Sequence, residues 1–341
     1  MLSVNRRPGV LCGLALAAVL VGCERSGTLP TSVADSDPRV DAETTLDLRG
    51  GNPALVERGR QLFFEETFGG NGRTCGTCHP TPTLVLTPAD IAALPPDDPF
   101  FAGTMDLDPE MALVGMIRYP LGGASLFEPV VTVFRSIPTI RNVRHTAPFT
   151  SDGRGTTLQE QAAEAVLLHL LDGAVDEPGE RMPTPEELDA IAAFEMAMVE
   201  PETGGRGLNR DASKVREGRR LFLGRAACTA CHAPPLFTDN EFHNIVATDA
   251  VEPVEDPGRC RLDPASPDCW SGAAFNTAQL RGVARTAPFF HDNSLPTLRA
   301  VVDFYDSPRF SESPAARRLG IGPLNLTEPE AAALVAFLET L

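Results

Sequence analysis

Apolar positions recur at helical spacing along this chain, and the stretches that carry them come in matched pairs. Asn52-Pro53 supplies an N-cap and a first-turn proline, and Ala54 to Glu66 then sets Leu55, Leu62 and Phe63 on one face. Ser213 to Leu223 repeats this, with Gly218-x-x-Leu221-Phe222 matching Gly59-x-x-Leu62-Phe63. Thr184 to Phe194 and Thr327 to Phe337 form a second pair. Each opens on a threonine followed by a glutamate three residues on, Glu187 or Glu330, and closes on Ala-Phe, which predicts capped amphipathic helices. Arg141-Asn142-Val143 with Thr146-Ala147-Pro148-Phe149 likewise matches Arg281-Gly282-Val283 with Thr286-Ala287-Pro288-Phe289. The chain is a duplication. Strand patterns are scarce apart from Val130 to Phe134, so the predicted class is all-α. Pro201 to Asp211, with Gly204, Gly205 and Gly207, is the natural boundary and gives tandem domains over residues 52–205 and 210–341. Pro80 to Ser136 is long for a connection and is predicted to be a functional cover.

In each half the first helix leads into a C-x-x-C-H motif: Cys75-Gly76-Thr77-Cys78-His79 and Cys228-Thr229-Ala230-Cys231-His232. In this spacing two thiols add across the vinyl groups of a haem, and the histidine ligates the iron from the proximal side. Zinc binding or disulfide pairing, with the following histidines accidental, is the alternative. The chain has only six histidines, which makes that coincidence small. Two covalent haem c groups are predicted, with His79 and His232 as iron ligands and each domain cytochrome c-like.

Ahead of residue 52 the pattern changes. Arg6-Arg7, an apolar stretch from Val10 to Val21 too short to span a bilayer comfortably, and Gly22-Cys23 read as an export signal over residues 1–22. Leu20-Val21-Gly22-Cys23 resembles the bacterial lipobox, in which Cys23 becomes a lipidated N-terminus; a plain signal peptide is the alternative. Residues 23–51, rich in Ser, Thr, Asp and Pro, read as a flexible tether outside the fold. The expected location is the periplasmic side of a bacterial membrane, lipid-anchored or soluble. Cys260 and Cys269 are left over and are expected to pair in that oxidising compartment, two free thiols being the alternative. A formal net charge of −17, with Lys214 the single lysine, argues against nucleic acid and against electrostatic attachment to an anionic membrane.

Two C-x-x-C-H domains in this order, with Thr286-Ala287-Pro288-Phe289-Phe290-His291-Asp292 and with Asp152-Gly153-Arg154 leading to Glu160-Gln161, resemble the bacterial di-haem cytochrome c peroxidase family, which includes the MauG-type enzymes. The likeness runs from about Asn52 to Leu341 and is weak between Pro80 and Ser136. It implies one peroxide-reactive haem and one electron-transfer haem. Arg141 and Arg281 lie where a guanidinium could pair with a haem propionate, ordinary salt bridges being the alternative. Tyr305 matches the family's sixth ligand of haem two. The alternative is a packed tyrosine hydrogen-bonded through its hydroxyl. His291 matches the family histidine near that haem and is expected to act as a hydrogen-bond donor behind the ligands.

In domain one the counterpart of Tyr305 is Ala165, which leaves the iron open. His169, one turn on, could cap that iron, hold a water or satisfy a core hydrogen bond. The place of the family's distal acid is taken by Gln159, with Glu160 next; an amide cannot relay a proton, so competence would fall to Glu160 or His169. Met105, Met111 and Met116 are alternative sixth ligands. The family's bridging tryptophan has no counterpart, since Trp270 is the single Trp and sits beside Cys269; Tyr119 is the candidate substitute. The resemblance also raises a Ca2+ ion held partly by backbone oxygens of Thr286 and Pro288, whose remaining ligand the sequence does not identify.

Three readings follow. The first is an oxidoreductase that reduces hydrogen peroxide at haem one with electrons passed through haem two from a small redox protein or a quinol-linked donor. The second is a MauG-like enzyme that oxidises a protein side chain, favoured by Tyr305. The third is a membrane-tethered two-haem electron carrier, favoured by Gln159 and the missing bridge.

Overall fold

The computed structural model describes residues 45–46, 51–81, 84–102, 107–121, 131–171, 179–199, 211–247, 256–269 and 272–341. The export signal, Cys23, most of the tether, the Pro201 to Arg210 boundary, Met105 and Trp270 lie outside the described residues. In chain order the elements are β1 (Thr45–Leu46), α1 (Pro53–Glu65), α2 (Cys75–Cys78), α3 (Pro88–Ala93), α4 (Pro109–Ala112), β2 (Met116–Leu121) and β3 (Val131–Ser136). There follow α5 (Leu158–Leu171), α6 (Pro185–Ala197), β4 (Met198–Val199), α7 (Ala212–Leu223), β5 (Phe242–His243) and β6 (Phe275–Asn276). The chain closes with α8 (Leu298–Tyr305), α9 (Pro308–Ser311), α10 (Pro314–Leu319) and α11 (Glu328–Leu338). No described helix is long and apolar enough to cross a membrane.

The helix ends follow from side-chain chemistry. Asn52 Oδ1 accepts from Ala54 N–H at 3.1 Å and Pro53 opens α1. Thr184 N–H donates to Glu187 Oε2 at 2.9 Å, and Thr327 N–H to Glu330 Oε2 at 2.9 Å, the reciprocal cap expected from both sequences.

The duplication is visible in the packing. In the first half α1 crosses α6, and in the second α7 crosses α11, each time with a glycine at the crossing point. A Cβ at Gly59 would lie 1.9 Å from Ala190 O, and one at Gly218 would lie 1.9 Å from Ala333 O. Phe63 meets Phe194 edge-on at 5.3 Å, as Phe222 meets Phe337 at 5.3 Å, so each crossing nucleates its own aromatic core. The short 3-10 turns Val143–His145 and Val283–Arg285 follow left-handed residues, Asn142 (φ 59) and Gly282 (φ 76), and the bridges Phe149↔Gly155 and Phe289↔Leu295 complete the repeat.

Three expectations need correction. Pro80 to Ser136 is not a bare cover. Its described part carries α3, α4 and the antiparallel β2–β3 pair, in register Met116↔Ser136 to Leu121↔Val131, and it buries a third cluster around Ile91, Phe100, Leu107 and Ile137. The tether ends earlier than Gly51, because Thr45 and Leu46 pair with Val199 and Met198. The strand expected over Val130 to Phe134 is observed as Val131–Ser136.

The two halves belong to one contact unit, Pro38–Leu341. Ser136 N–H donates to His291 O at 2.6 Å and Asn276 N–H to Ser151 O at 2.8 Å. Asn293 Nδ2 donates to Val114 O at 3.0 Å. Arg135, 3% exposed, is bidentate to Asp256 at 2.6 and 2.8 Å and donates to Asp152 at 2.7 Å; these acids are 1% and 0% exposed.

Candidate functional site

Each C-x-x-C-H motif is a single tight turn. In α2 the Thr74 N–H is met by Thr77 Oγ1 at 3.0 Å, and His79 N–H donates to Cys75 O at 3.0 Å. Gly76 is required here because a Cβ would come 2.4 Å from the Phe64 ring. In the second copy Ala227 takes a left-handed conformation (φ 53), Cys228–Ala230 forms a 3-10 turn, and His232 N–H donates to Cys228 O at 2.8 Å.

The two histidines are anchored identically. His79 Nδ1 lies 3.0 Å from Leu84 O, and His232 Nδ1 lies 3.0 Å from Phe237 O. A carbonyl only accepts, so Nδ1 carries the proton and Nε2 is left with its lone pair, the tautomer that a metal needs. Burial holds both imidazoles below the ordinary histidine range, which keeps them neutral. Burial likewise pushes the Cys75 and Cys228 thiols up to about 12.

Cys75, Cys78, Cys228 and Cys231 take no part in a disulfide, whereas Cys260 and Cys269 form one with Cα atoms 5.2 Å apart. The thiols of the two motifs do not converge on a common metal. Among the described residues, the cluster of potential metal-ligating side chains is Cys231, Asp239 and His243. In that cluster Arg318 donates to His243 Nδ1 at 2.8 Å, so Nε2–H donates to Asp239 at 2.8 Å and the imidazole is consumed in hydrogen bonds.

One cavity of about 540 Å³ is lined by His79 and His232 together. Tyr305, at the end of α8, lines it amid Phe290, Phe304 and Phe310, the last edge-on at 4.8 Å. Its hydroxyl has no hydrogen-bond partner among the described residues, and burial pushes the phenol up. Tyr119 lines the same space under the Arg154 guanidinium, 4.6 Å from the ring centroid, and burial pushes it up to about 12. His291 also lines it, its ring stacked on Phe275 at 3.7 Å. Paired anchored imidazoles, adjacent thiols and a largely apolar enclosure fit two haem c groups.

No family model matches the chain. It is 26% identical to the cytochrome-c peroxidase IdrP2 of Denitromonas iodatirespirans, over 96% of this chain and 91% of that protein. It is also 26% identical to the methylamine utilization protein MauG of Methylorubrum extorquens, over 97% of this chain and 92% of that one. The chain is a relative of the cytochrome-c peroxidases and MauG. Solved structures agree on the fold. A MauG-like protein associated with microbial copper homeostasis matches with a TM-score of 0.58 at 21% identity, over 91% of this chain and 95% of that one. The diheme peroxidase BthA from Burkholderia thailandensis E264 matches with a TM-score of 0.53 at 20% identity, over 87% and 89%.

In this relative of the peroxidases and MauG, the cavity gathers His79, His232, Arg141, His291, Tyr119 and Tyr305, but not every residue singled out from the sequence. Gln159 turns away and donates to Asp189 at 3.0 Å. Glu160 is exposed and bonds Thr156 at the helix start. His169 does not line the cavity; its carbonyl accepts from Asn71 N–H at 3.2 Å. The helical register explains this. Leu158 faces the cavity, so the next residue to return to that face is Gln161, about 300° further round, while Gln159 and Glu160 are carried past it. Arg281 lies outside the lining: its Nε donates to Pro235 O at 2.9 Å and its guanidinium lies over Phe237. Arg141 does line the cavity, and its Nη1 donates to Val199 O at 3.3 Å. Neither Met111 nor Met116 reaches it.

The cavity is also lined by Gln161, which the sequence offers only as part of a motif, and by Arg135 and Glu195, which no local pattern singles out. Setting the two copies side by side would have flagged Glu195, because the residue after Phe194 is charged while the residue after Phe337 is Leu338.

Proposed function

We propose that the protein is an exported di-haem c-type oxidoreductase that reduces peroxide at haem one, with electrons supplied through haem two by a small redox protein or a quinol-linked donor. The observation that carries this reading is the cavity shared by two identically anchored imidazoles, each in the last position of a C-x-x-C-H turn. Bound there, the haems would supply the iron that exchanges electrons with peroxide and with the donor.

The chain supplies the rest. Cys75 and Cys78, and Cys228 and Cys231, would form the thioethers, and Nε2 of His79 and His232 the proximal bonds. Gln161 lines the cavity and offers an amide donor and acceptor that orient a peroxide, but an amide does not carry a proton at neutral pH. Tyr305 presents an oxygen to the second site, and a hard anionic donor there stabilises the ferric state. This favours a second reading, MauG-like oxidation of a protein side chain. Cys23 would be the lipid attachment point on the periplasmic side. The softer Cys231–Asp239–His243 set does not suit calcium, so no side chain is assigned to that ion.

Periplasmic expression with haem-ligation machinery should yield two haems that survive denaturation and acid-acetone extraction, and Cys231→Ser should lose one of them. Stopped-flow mixing with hydrogen peroxide should show oxidation of the ferrous protein, slowed about tenfold to a hundredfold in Gln161→Ala. Extractable haem would end the reading, and wild type inert to peroxide would leave an electron carrier. Tyr305→Phe should change the ferric spin state of haem two and raise its potential; an unchanged spectrum would return Tyr305 to packing.

A further inference from the structure

Glu195 lies on α6, one residue past the Phe194 that packs on Phe63. It is 4% exposed, it lines the cavity, and its Oε2 has no hydrogen-bond partner. Buried carboxyls without partners are unfavourable, and they persist where a site uses them. The helix crossing does not require this one. In the second half the same place is held by Leu338, 8% exposed, beneath the same glycine contact and the same phenylalanine pair.

The groups around Glu195 leave it uncompensated. From α2 the Cys75 thiol lies close enough for the charge of Glu195 to add to the upward push that burial gives that thiol. The other elements packed on α6 carry Glu57, Arg58, Arg60 and Glu65 on α1, Glu160, Glu164 and His169 on α5, and Arg144 and His145 on the Val143–His145 turn; β4 carries none. Arg58 pairs with Glu187, Arg60 with Glu57 and Glu164 with Arg154, and Glu195 Oε2 accepts a hydrogen bond from none of the described residues. Burial alone pushes its carboxyl up to about 8.

We propose that Glu195 is the proton-binding residue of the first haem site, taking up one proton when that haem accepts one electron and releasing it when the electron leaves. An added electron makes the enclosed site more negative, and a carboxylate with no cation beside it answers by binding a proton; the site's net charge is then unchanged. Reduction of hydrogen peroxide to two waters consumes two protons along with two electrons. A carboxyl that releases its proton as the electron departs supplies both to one cavity. The inference rests on the reading of Cys75, Cys78 and His79 as a haem site.

The test is a spectroelectrochemical titration of the full-length holoprotein from about pH 5 to 10, in wild type, Glu195→Gln and Glu195→Leu. The leucine variant installs the residue that the second half already accommodates. In wild type the equilibrium constant for reducing haem one should fall tenfold per pH unit over part of the range, about 59 mV for one electron. Both variants should flatten that slope for haem one and leave haem two unchanged. Redox-difference infrared spectra should show a protonated carboxyl signal that is absent from both. An identical slope in wild type and variants that retain covalent haem overturns the proposal, and so does a flat wild-type slope. Failure of wild type to hold covalent haem at the first motif would instead show as a missing haem on denaturation and would defeat the underlying reading.

Discussion

Gly59→Ala should lower the melting temperature by on the order of 10 °C, and Gly218→Ala should do the same. The added methyl would sit 1.9 Å from a main-chain carbonyl, Ala190 O or Ala333 O, and 2.8 Å from a phenylalanine Cβ. Neither neighbour is the end of a flexible side chain, so relief requires the two helices to separate. Separation loosens the Phe63–Phe194 or Phe222–Phe337 contact at the centre of the core. The cost is about 3 kcal/mol or more, the upper range of overpacking. Gly322, with no atom within 4 Å of a built Cβ, is the control and should tolerate alanine. Calorimetry on the three variants decides the matter: if Gly59→Ala melts like Gly322→Ala, the crossing is not the close contact described.

Arg135→Met should destabilise the protein by about 3–5 kcal/mol at neutral pH, because it leaves the buried Asp256 without its cation and the buried Asp152 with only Arg154, 3.8 Å away. Adding Asp152→Asn and Asp256→Asn should recover much of this, since removing all the charge is far cheaper than removing one sign of it. The pH dependence should also weaken. Burial raises the Asp152 carboxyl, but Arg135 and Arg154 outweigh it and hold the group below its usual range. Its contribution is therefore complete above the unfolded carboxylate range, near pH 4, and is lost as pH falls through the depressed folded value. In Arg135→Met the Asp152 carboxyl keeps only Arg154, 3.8 Å away, so the part of this pH dependence that Arg135 supplies should be lost. Urea denaturation across pH is the measurement, and parallel pH profiles for wild type and variant would refute the argument.

Much of this architecture was readable from residues alone, for identifiable reasons. Caps and crossing glycines are local signals: Asn52-Pro53, Thr184 with Glu187, and Gly59 with Phe63 each specify a geometry within a few residues. Repetition made them stronger, because a pattern seen twice is not accidental. The Cys260–Cys269 pairing was legible from the cysteine count together with the oxidising compartment that the N-terminal sequence leads one to expect. Three kinds of feature escaped. The partner of Val131–Ser136 is Met116–Leu121, across a segment whose pairing no local pattern specifies. The inward face of α5 is not legible because polar residues, Gln159 to Gln161, Glu164 and His169, are spread around that helix while Leu167 and Leu171 are exposed, so periodicity does not say which side turns inward. Arg135 looked like an ordinary strand residue; its burial depends on Asp256, far away in the chain.

The seam between the two halves is stitched largely to peptide groups. Ser136 N–H meets His291 O, Asn276 N–H meets Ser151 O, and Asn293 reaches the carbonyls of Val114 and Gly115. A carbonyl is the same whichever side chain its residue bears. Such a joint can keep its geometry while the residues along it are exchanged, provided the turns that present those carbonyls persist. This offers a physical account of how relatives matching about a quarter of the positions can share one two-part scaffold. Arg135 and Asn293, which line the cavity and reach across the seam through their side chains, are held by that docking; the other residues facing the cavity are freer to change while the scaffold stays put.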